Sequence, residues 1–366
     1  MKVGRSWKTW VAVVAAGAAA ASGCGRRQTA EVNDIVPKFE VNRSRAPLGS
    51  AIEITYTWQV EPTAKKLAQD YRAFVHFVDS HGVMLFEDDH TPTPPVTSWE
   101  PGQTYSYTRT KFIPVYPYVG DVDVRIGLAP AGKGERVMLK GEDAGLREFK
   151  VAKIELLPQT ENIFLVYKEG WHSPESSPQN PSLERTWTKK DALISFKNPK
   201  KDVVVYLEAD TNAKAFDAPP VLTMAVNNKT GVTIPISNSE IFTRKVRIKA
   251  ADLGQEEWVD LRLALSQSFV PRLKGVNAHD DRELGVLVYH LYVAEADKLG
   301  TVKDVVDAAP VTVTPLTPAT ATASASTTGS PAPGGKPASP GTRTSPSPRI
   351  SPAARTSPAA KASPAS

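Results

Sequence analysis

Ala51-Ile52-Glu53-Ile54-Thr55-Tyr56-Thr57-Trp58-Gln59-Val60 alternates between large apolar and polar side chains from Ile52 onward. Successive side chains of an extended chain point to opposite faces. Ile52, Ile54, Tyr56, Trp58 and Val60 therefore share one face, and Glu53, Thr55, Thr57 and Gln59 the other, which predicts a half-buried β-strand. The same grammar extends outward through 72–78, 103–113 and 122–128, with turn signals at Ser80-His81-Gly82, Glu100-Pro101-Gly102 and Ala131-Gly132-Lys133-Gly134. Only 62–71 suits a short helix. Short strands at this spacing predict an immunoglobulin-like sandwich over residues 33–156.

A second block repeats the pattern at 192–197, 203–209, Val221–Val226, Phe242–Ile248, 257–265 and 284–294. In Trp258-Val259-Asp260-Leu261-Arg262-Leu263-Ala264-Leu265, the residues Val259, Leu261, Leu263 and Leu265 point one way. This block, 157–300, is expected to be an antiparallel sandwich of jelly-roll type, with a boundary near Leu156-Leu157-Pro158. The predicted class is all-β: two tandem antiparallel β-sandwiches, immunoglobulin-like and then jelly-roll-like.

The ends of the chain differ in kind. A basic start leads into an apolar run from Trp10 to Ala21, too short to span a bilayer, then Ser22-Gly23-Cys24. Residues 1–23 read as a signal peptide and 24–32 as a linker. Residues 301–366 read as a disordered tail. From Ala308 onward, 46 of 59 residues are Ala, Pro, Ser or Thr and none is aromatic, so nothing large can be buried to offset the entropy of ordering. Its Thr-Ser-Pro units suit either an inert tail or a stalk gripping anionic envelope polymers.

Charge and cysteine content exclude several classes. The chain carries 44 basic and 39 acidic side chains. Setting aside five basic residues after 307 and three before Ser22 leaves 36 basic against 39 acidic in the part expected to fold. No nucleic-acid partner is expected from so neutral a block. With one cysteine, a disulfide framework and a cysteine zinc cluster are excluded.

Ala21-Ser22-Gly23-Cys24 resembles the bacterial lipobox. The resemblance implies acylation of Cys24, including palmitate-type chains, and anchorage in the cell envelope, extracytoplasmically. With no aspartate after Cys24, it further implies the outer membrane where two membranes are present. Val75-His76-Phe77-Val78-Asp79, Asp88-Asp89-His90, Trp99-Glu100-Pro101-Gly102 and the run from Val115 to Gly120 resemble a β-sandwich domain of bacterial envelope proteins. Gly170-Trp171, Glu175, Arg185-Thr186-Trp187, Phe269-Val270-Pro271 and Asp281-Arg282-Glu283-Leu284-Gly285-Val286 resemble a β-sandwich appended to bacterial membrane glycosyltransferases and envelope lipoproteins. These resemblances imply a glycan-related envelope setting and carry no activity.

Three constellations could carry chemistry. Glu87-Asp88-Asp89-His90 could bind calcium or a transition metal through Asp88, Asp89 and His90, or could be a turn closed by side-chain hydrogen bonds. Neighbours on a strand alternate faces, so one or two ligands from this run is the expected yield. His279-Asp280-Asp281-Arg282-Glu283 could supply Asp281 and Glu283 as a glycosidase pair, or could be a structural ion pair with Arg282, Arg185 or Arg262. Trp171, Trp187 and Trp258, with Tyr167, His172 and Tyr289, could form a platform for sugar rings or serve as core. The long polar loop 169–183 adjoins it. Phosphate loops, dinucleotide fingerprints, HExxH and GxSxG are absent. His76 and His290 fall within strands and read as structural.

The expected protein is therefore a lipid-anchored binding or accessory module. Its candidate ligand residues are Trp171, Glu175, Arg185, Trp187, Asp281, Arg282 and Glu283. No catalytic residue and no cofactor are assigned. The partner is an envelope glycan or a membrane glycosylation protein. The alternatives are a glycan-active enzyme on the second sandwich and an adhesion or assembly component with a protein partner.

Overall fold

The structure, a computed structural model, describes residues 31–115, 118–176 and 184–313. The expected signal peptide, Cys24 and most of the tail lie outside those residues. The chain is all-β, built of sandwiches. Its first block contains β1 (Ile35–Val41), β2 (Arg45–Pro47), β3 (Ala51–Val60), β4 (Tyr71–Asp79), β5 (Met84–Glu87), β6 (Thr104–Phe112), β7 (Gly120–Pro130), β8 (Glu142–Asp143) and β9 (Phe149–Leu157). One sheet runs β1-β3-β6 and the other β2-β9-β7-β4-β5, with β8 on β9. Ile52, Ile54, Tyr56 and Trp58 are fully buried between them, as the alternation requires.

β1 is a strand beyond those expected from the sequence, and Pro37 lies within it. Proline cannot donate to a ladder, but β1 is an edge strand paired only with β3, so no donor is missed. No helix forms at 62–71. The Asn33 side chain accepts from Lys65 N–H at 3.0 Å and donates to Lys65 C=O at 3.0 Å, holding that backbone in a turn. Among the described residues the α-helix is the single turn Ala250–Leu253.

The second block holds β10 (Leu165–Tyr167), β11 (Glu175–Ser176), β12 (Glu184–Trp187), β13 (Asp191–Lys197), β14 (Val203–Asp210), β15 (Val221–Val226) and β16 (Thr230–Pro235). β17 (Phe242–Ile248), β18 (Trp258–Leu265), β19 (Leu287–Glu295), β20 (Val305–Asp307) and β21 (Ala309–Pro310) complete it. The sheets run β10-β13-β18-β15-β16-β21 and β11-β12-β19-β14-β17-β20. The central strands β12 to β19 alternate between sheets as 12-19-14-17 against 13-18-15-16, a jelly-roll order. Asn227 and Asn228, at φ 50° and 57°, make the β15–β16 turn; asparagine tolerates this left-handed region.

Placing the tail from residue 301 needs correction. Val305–Asp307 pairs in parallel with β17, and Ala309–Pro310 pairs with β16. Residues 301–307 carry no proline or alanine, and Val302 and Ala308 pack against apolar clusters of the sandwiches.

The two sandwiches pack through an unexpected face. Ala51 and Phe112 of the first join Val204, Tyr206, Tyr292, Ala294 and Leu299 of the second in an apolar cluster. Phe112 stacks on His290 with ring centroids 4.3 Å apart. Glu53, on the polar face of β3, is buried here and accepts from Lys245 Nζ at 3.0 Å. Arg43 Nη2 donates to Tyr292 Oη at 3.2 Å, and the Asn42 amide donates to the Leu299 carbonyl.

On the outer face of the first sandwich, Phe74 lies over Gly127 in β7, with the Arg136 guanidinium 4.0 Å from the Phe74 ring centre. A Cβ on Gly127 would sit 2.2 Å from Phe74 Cζ and 2.8 Å from the Arg147 carbonyl oxygen. Gly127→Ala is expected to displace Phe74 and cost about 1–3 kcal/mol. Chemical denaturation checks this; an unchanged midpoint would mean that Phe74 is not held there.

Candidate functional site

A cleft of about 440 Å³ opens in the second sandwich between β10 of one sheet and β12 and β19 of the other. Tyr167, Trp171, His172, Glu184, Thr186 and Tyr289 are among its lining residues. Four of the six aromatic or imidazole side chains predicted as a platform, Tyr167, Trp171, His172 and Tyr289, meet here.

Local backbone geometry explains how Trp171 is presented. Gly170 has φ +82°, and a Cβ there would lie 1.9 Å from the Asp191 carbonyl oxygen, so the chain crosses β13 closely enough to require glycine. His172 N–H donates to Trp187 C=O at 2.9 Å, tying the segment to β12. Trp171 Nε1–H donates to Leu193 C=O at 3.0 Å, fixing the ring. Tyr167 meets it edge to face, with centroids 4.8 Å apart and planes at 78°, and is 49% exposed. Trp171 anchors the platform against the core and Tyr167 offers it to solvent.

The polar groups sit along the rim. His172 Nε2 lies 2.7 Å from the Glu283 carbonyl oxygen and is its donor. Arg282 bridges Glu175 at 2.6 Å and Asp280 at 2.7 Å, fastening the 280–284 loop to the segment after Trp171. The Arg282 hydrogen bonds hold the Asp280 carboxyl below the usual carboxylate range. Tyr289 Oη donates to Asp210 Oδ2 at 2.8 Å. Burial, with that carboxylate beside it, pushes the Tyr289 hydroxyl up to about 12, and burial raises the Asp210 carboxyl. Arg185 faces this pair, and its charge favours both ionised forms.

Several predicted site residues fall elsewhere. Trp187 packs edge to face on Phe269 at 5.9 Å, in an apolar cluster with Ala215 and Leu284, and serves as core. Trp258 is 40% exposed at the start of β18 and does not line the cleft. Asp281 pairs with Arg272, and Glu283 accepts from Ser268 Oγ at 2.7 Å. Neither carboxylate lines the cleft. The expected pairing of Asp281 or Glu283 with Arg282, Arg185 or Arg262 does not form: Arg282 takes Glu175 and Asp280 as partners, and Arg262 takes Asp191. Glu184 and Thr186 line the cleft without having been singled out; their alternation with Arg185 and Trp187 along β12 is the signal that could have found them.

In the first sandwich Asp88, Asp89 and His90 do not converge on an ion. Asp88 accepts from Tyr56 Oη at 2.8 Å and from Arg109 Nε and Nη2 at 3.0 and 3.1 Å. His90 Nδ1 lies 2.6 Å from the Asp88 carbonyl oxygen and Nε2 lies 2.8 Å from Tyr107 Oη. Both side chains are buried and committed to each other's surroundings. Asp89 points to the other face, where its Oδ1 accepts from Val75 N–H at 3.0 Å.

No protein family matches the chain, and no curated protein matches it in sequence. Similar solved structures include the tandem CBM22-1-CBM22-2 domain of Paenibacillus barcinonensis Xyn10C. That pair is 8% identical, with 73% of this chain and 99% of that chain covered and a TM-score of 0.22. They also include the M60 catalytic domain with two CBM51 domains from Clostridium perfringens ZmpB, 8% identical, with 74% and 32% covered and a TM-score of 0.24. E. coli alpha-2-macroglobulin is 12% identical over 59% of this chain and 12% of its own length, with a TM-score of 0.20. At these scores nothing in those proteins carries over to this chain.

Proposed function

We propose that the protein is a lipid-anchored envelope protein whose second sandwich binds a saccharide chain in the cleft beside Tyr167 and Trp171. The observation that carries this reading is the aromatic pair at the mouth of a concave, partly polar cleft. Flat aromatic faces accept the apolar C–H face of a sugar ring, while His172, Glu184 and Thr186 suit its hydroxyls. The lipobox-like Ala21-Ser22-Gly23-Cys24 supports anchorage through acylated Cys24 in the envelope. The glycan is then either a free envelope polymer or one carried by a membrane glycosylation partner.

A binding role is supported by the placement of Asp281 and Glu283, the carboxylate pair the sequence offered for hydrolysis, which are engaged with Arg272 and Ser268 and do not line the cleft. A screen of the full chain against envelope glycans, followed by melting curves with each hit, tests the proposal. Saccharides that bind are expected to raise the melting midpoint. A chain that binds no glycan, or binds one without a midpoint shift, would move the weight to a protein partner.

A further inference from the structure

We propose that His76, Glu87 and Asp89 form a divalent transition-metal site on the outer face of the first sandwich, one that takes Zn²⁺. One ring nitrogen of His76 and one carboxylate oxygen from each of Glu87 and Asp89 lie within 4.8 Å of one another. The strand pairing builds the group: His76 of β4 sits opposite Glu87 of β5, and Asp89 follows Glu87 on the same face. The run read from sequence as a single cluster divides here. Asp88 and His90 turn inward to Tyr56, Arg109 and Tyr107, while Glu87 and Asp89 turn outward to a histidine 11 residues before Glu87.

The surroundings prepare this histidine to coordinate. His76 Nδ1 lies 3.1 Å from Glu148 Oε1, and that carboxylate is itself buried. A carboxylate can only accept, so Nδ1 carries the proton of this hydrogen bond, and in the neutral ring Nε2 would supply the lone pair that a metal needs. This is the carboxylate–histidine–metal relation by which proteins orient and strengthen an imidazole ligand. Glu148 is held in turn by Arg136 at 2.9 Å, with Arg125 at 3.8 Å. Both guanidiniums are thus spent on Glu148, and Glu87 has no ion-pair or hydrogen-bond partner among the described residues. Asp89 has its Oδ1 anchored on Val75 N–H and keeps Oδ2 free.

One nitrogen and two carboxylate oxygens select the ion. Calcium takes six to eight oxygens, and magnesium keeps its waters, so neither matches this donor set, whereas Zn²⁺ accepts imidazole and carboxylate together. Three protein ligands leave a fourth position open to water or to an oxygen of a partner. An ion there would clamp the short edge strand β5 to β4 and so raise the melting midpoint. The site lies in the other sandwich from the saccharide cleft, so either proposal can fail alone.

The test is calorimetric titration of ZnCl₂ into the full chain, stripped with a chelator, with melting curves recorded in parallel. One equivalent is expected to bind in the micromolar range or tighter and to raise the midpoint. His76→Ala and Glu87→Gln are expected to remove that equivalent, and Glu148→Gln to weaken it by about 10–100-fold. Glu87 is exposed and unbonded, so Glu87→Gln keeps the fold and makes the decisive comparison. His279→Ala, an exposed histidine elsewhere, should bind like the wild type. No zinc uptake at micromolar concentration, or unchanged affinity in both Glu87→Gln and His76→Ala, would overturn the proposal.

Discussion

Lys245→Ala is expected to destabilise the protein by about 3–5 kcal/mol, because it leaves Glu53 buried and ionised without its counter-charge. The Lys245 and Glu53 side chains are only 9% and 3% exposed, so water cannot replace the lost ammonium. The remaining partner, Thr110 Oγ1 at 3.2 Å, donates one hydrogen bond and no charge. Burial raises the Glu53 carboxyl above its ordinary 4.5, and the Lys245 hydrogen bond and charge pull it partly back.

The sign follows from that direction. A raised folded value means that the folded state favours the protonated acid, so this group's contribution is fully present below 4.5 and is lost as pH rises through the folded value. Removing Lys245 widens the difference, so the cost of Lys245→Ala is expected to shrink as pH falls toward 4.5. Chemical denaturation at neutral and acidic pH measures both effects. A cost below about 1 kcal/mol at neutral pH would mean that the pair is hydrated and the interface looser than described.

Asp88→Ala is expected to cost about 3 kcal/mol, through the groups it strands rather than the volume it removes. Tyr56 is fully buried and its hydroxyl would lose its acceptor, while Arg109, whose side chain is 39% exposed, can turn partly to water. Burial alone would raise the Asp88 carboxyl, but the Arg109 hydrogen bonds and charge outweigh it and hold the group below 3.8. Burial also lowers His90 below 6.5, so it is kept neutral inside.

Both folded values are depressed, so both groups contribute stability above their ordinary values and lose it as pH falls through their folded ones. The stability of the wild type should therefore fall in two steps on acidification, the first below 6.5 from His90 and the second below 3.8 from Asp88. Asp88→Ala should keep the first and lack the second. Identical acid profiles for variant and wild type would show that this cluster does not govern the transition.

Period-two reading recovered β3, β15 and β17 to the residue, because each sends alternate apolar side chains into a sandwich core. It could not foresee that Glu53, on the outward face, would be buried. Its partner Lys245 is 192 residues away and arrives only when the sandwiches dock. β1 carries Pro37 within its run, which an edge strand tolerates and a central one does not.

The candidate site was legible as composition and not as placement. Tyr167, Trp171, His172 and Tyr289 converge, but Trp187 alternates to the other side of β12 and joins Phe269. The same alternation, applied residue by residue to Glu87-Asp88-Asp89-His90, separates the inward hydrogen-bonded pair from the outward one. The third member, His76, needed the β4–β5 register.

The most direct test of the saccharide cleft compares the affinity of the full chain and of Tyr167→Ala for a glycan found by screening, with melting midpoints for both. Tyr167 is half exposed, so its truncation spares the core. The account predicts about a tenfold loss of affinity, the equivalent of one stacked ring, with the midpoint nearly unchanged. Equal affinity in the two proteins would contradict the placement of the saccharide on this aromatic pair.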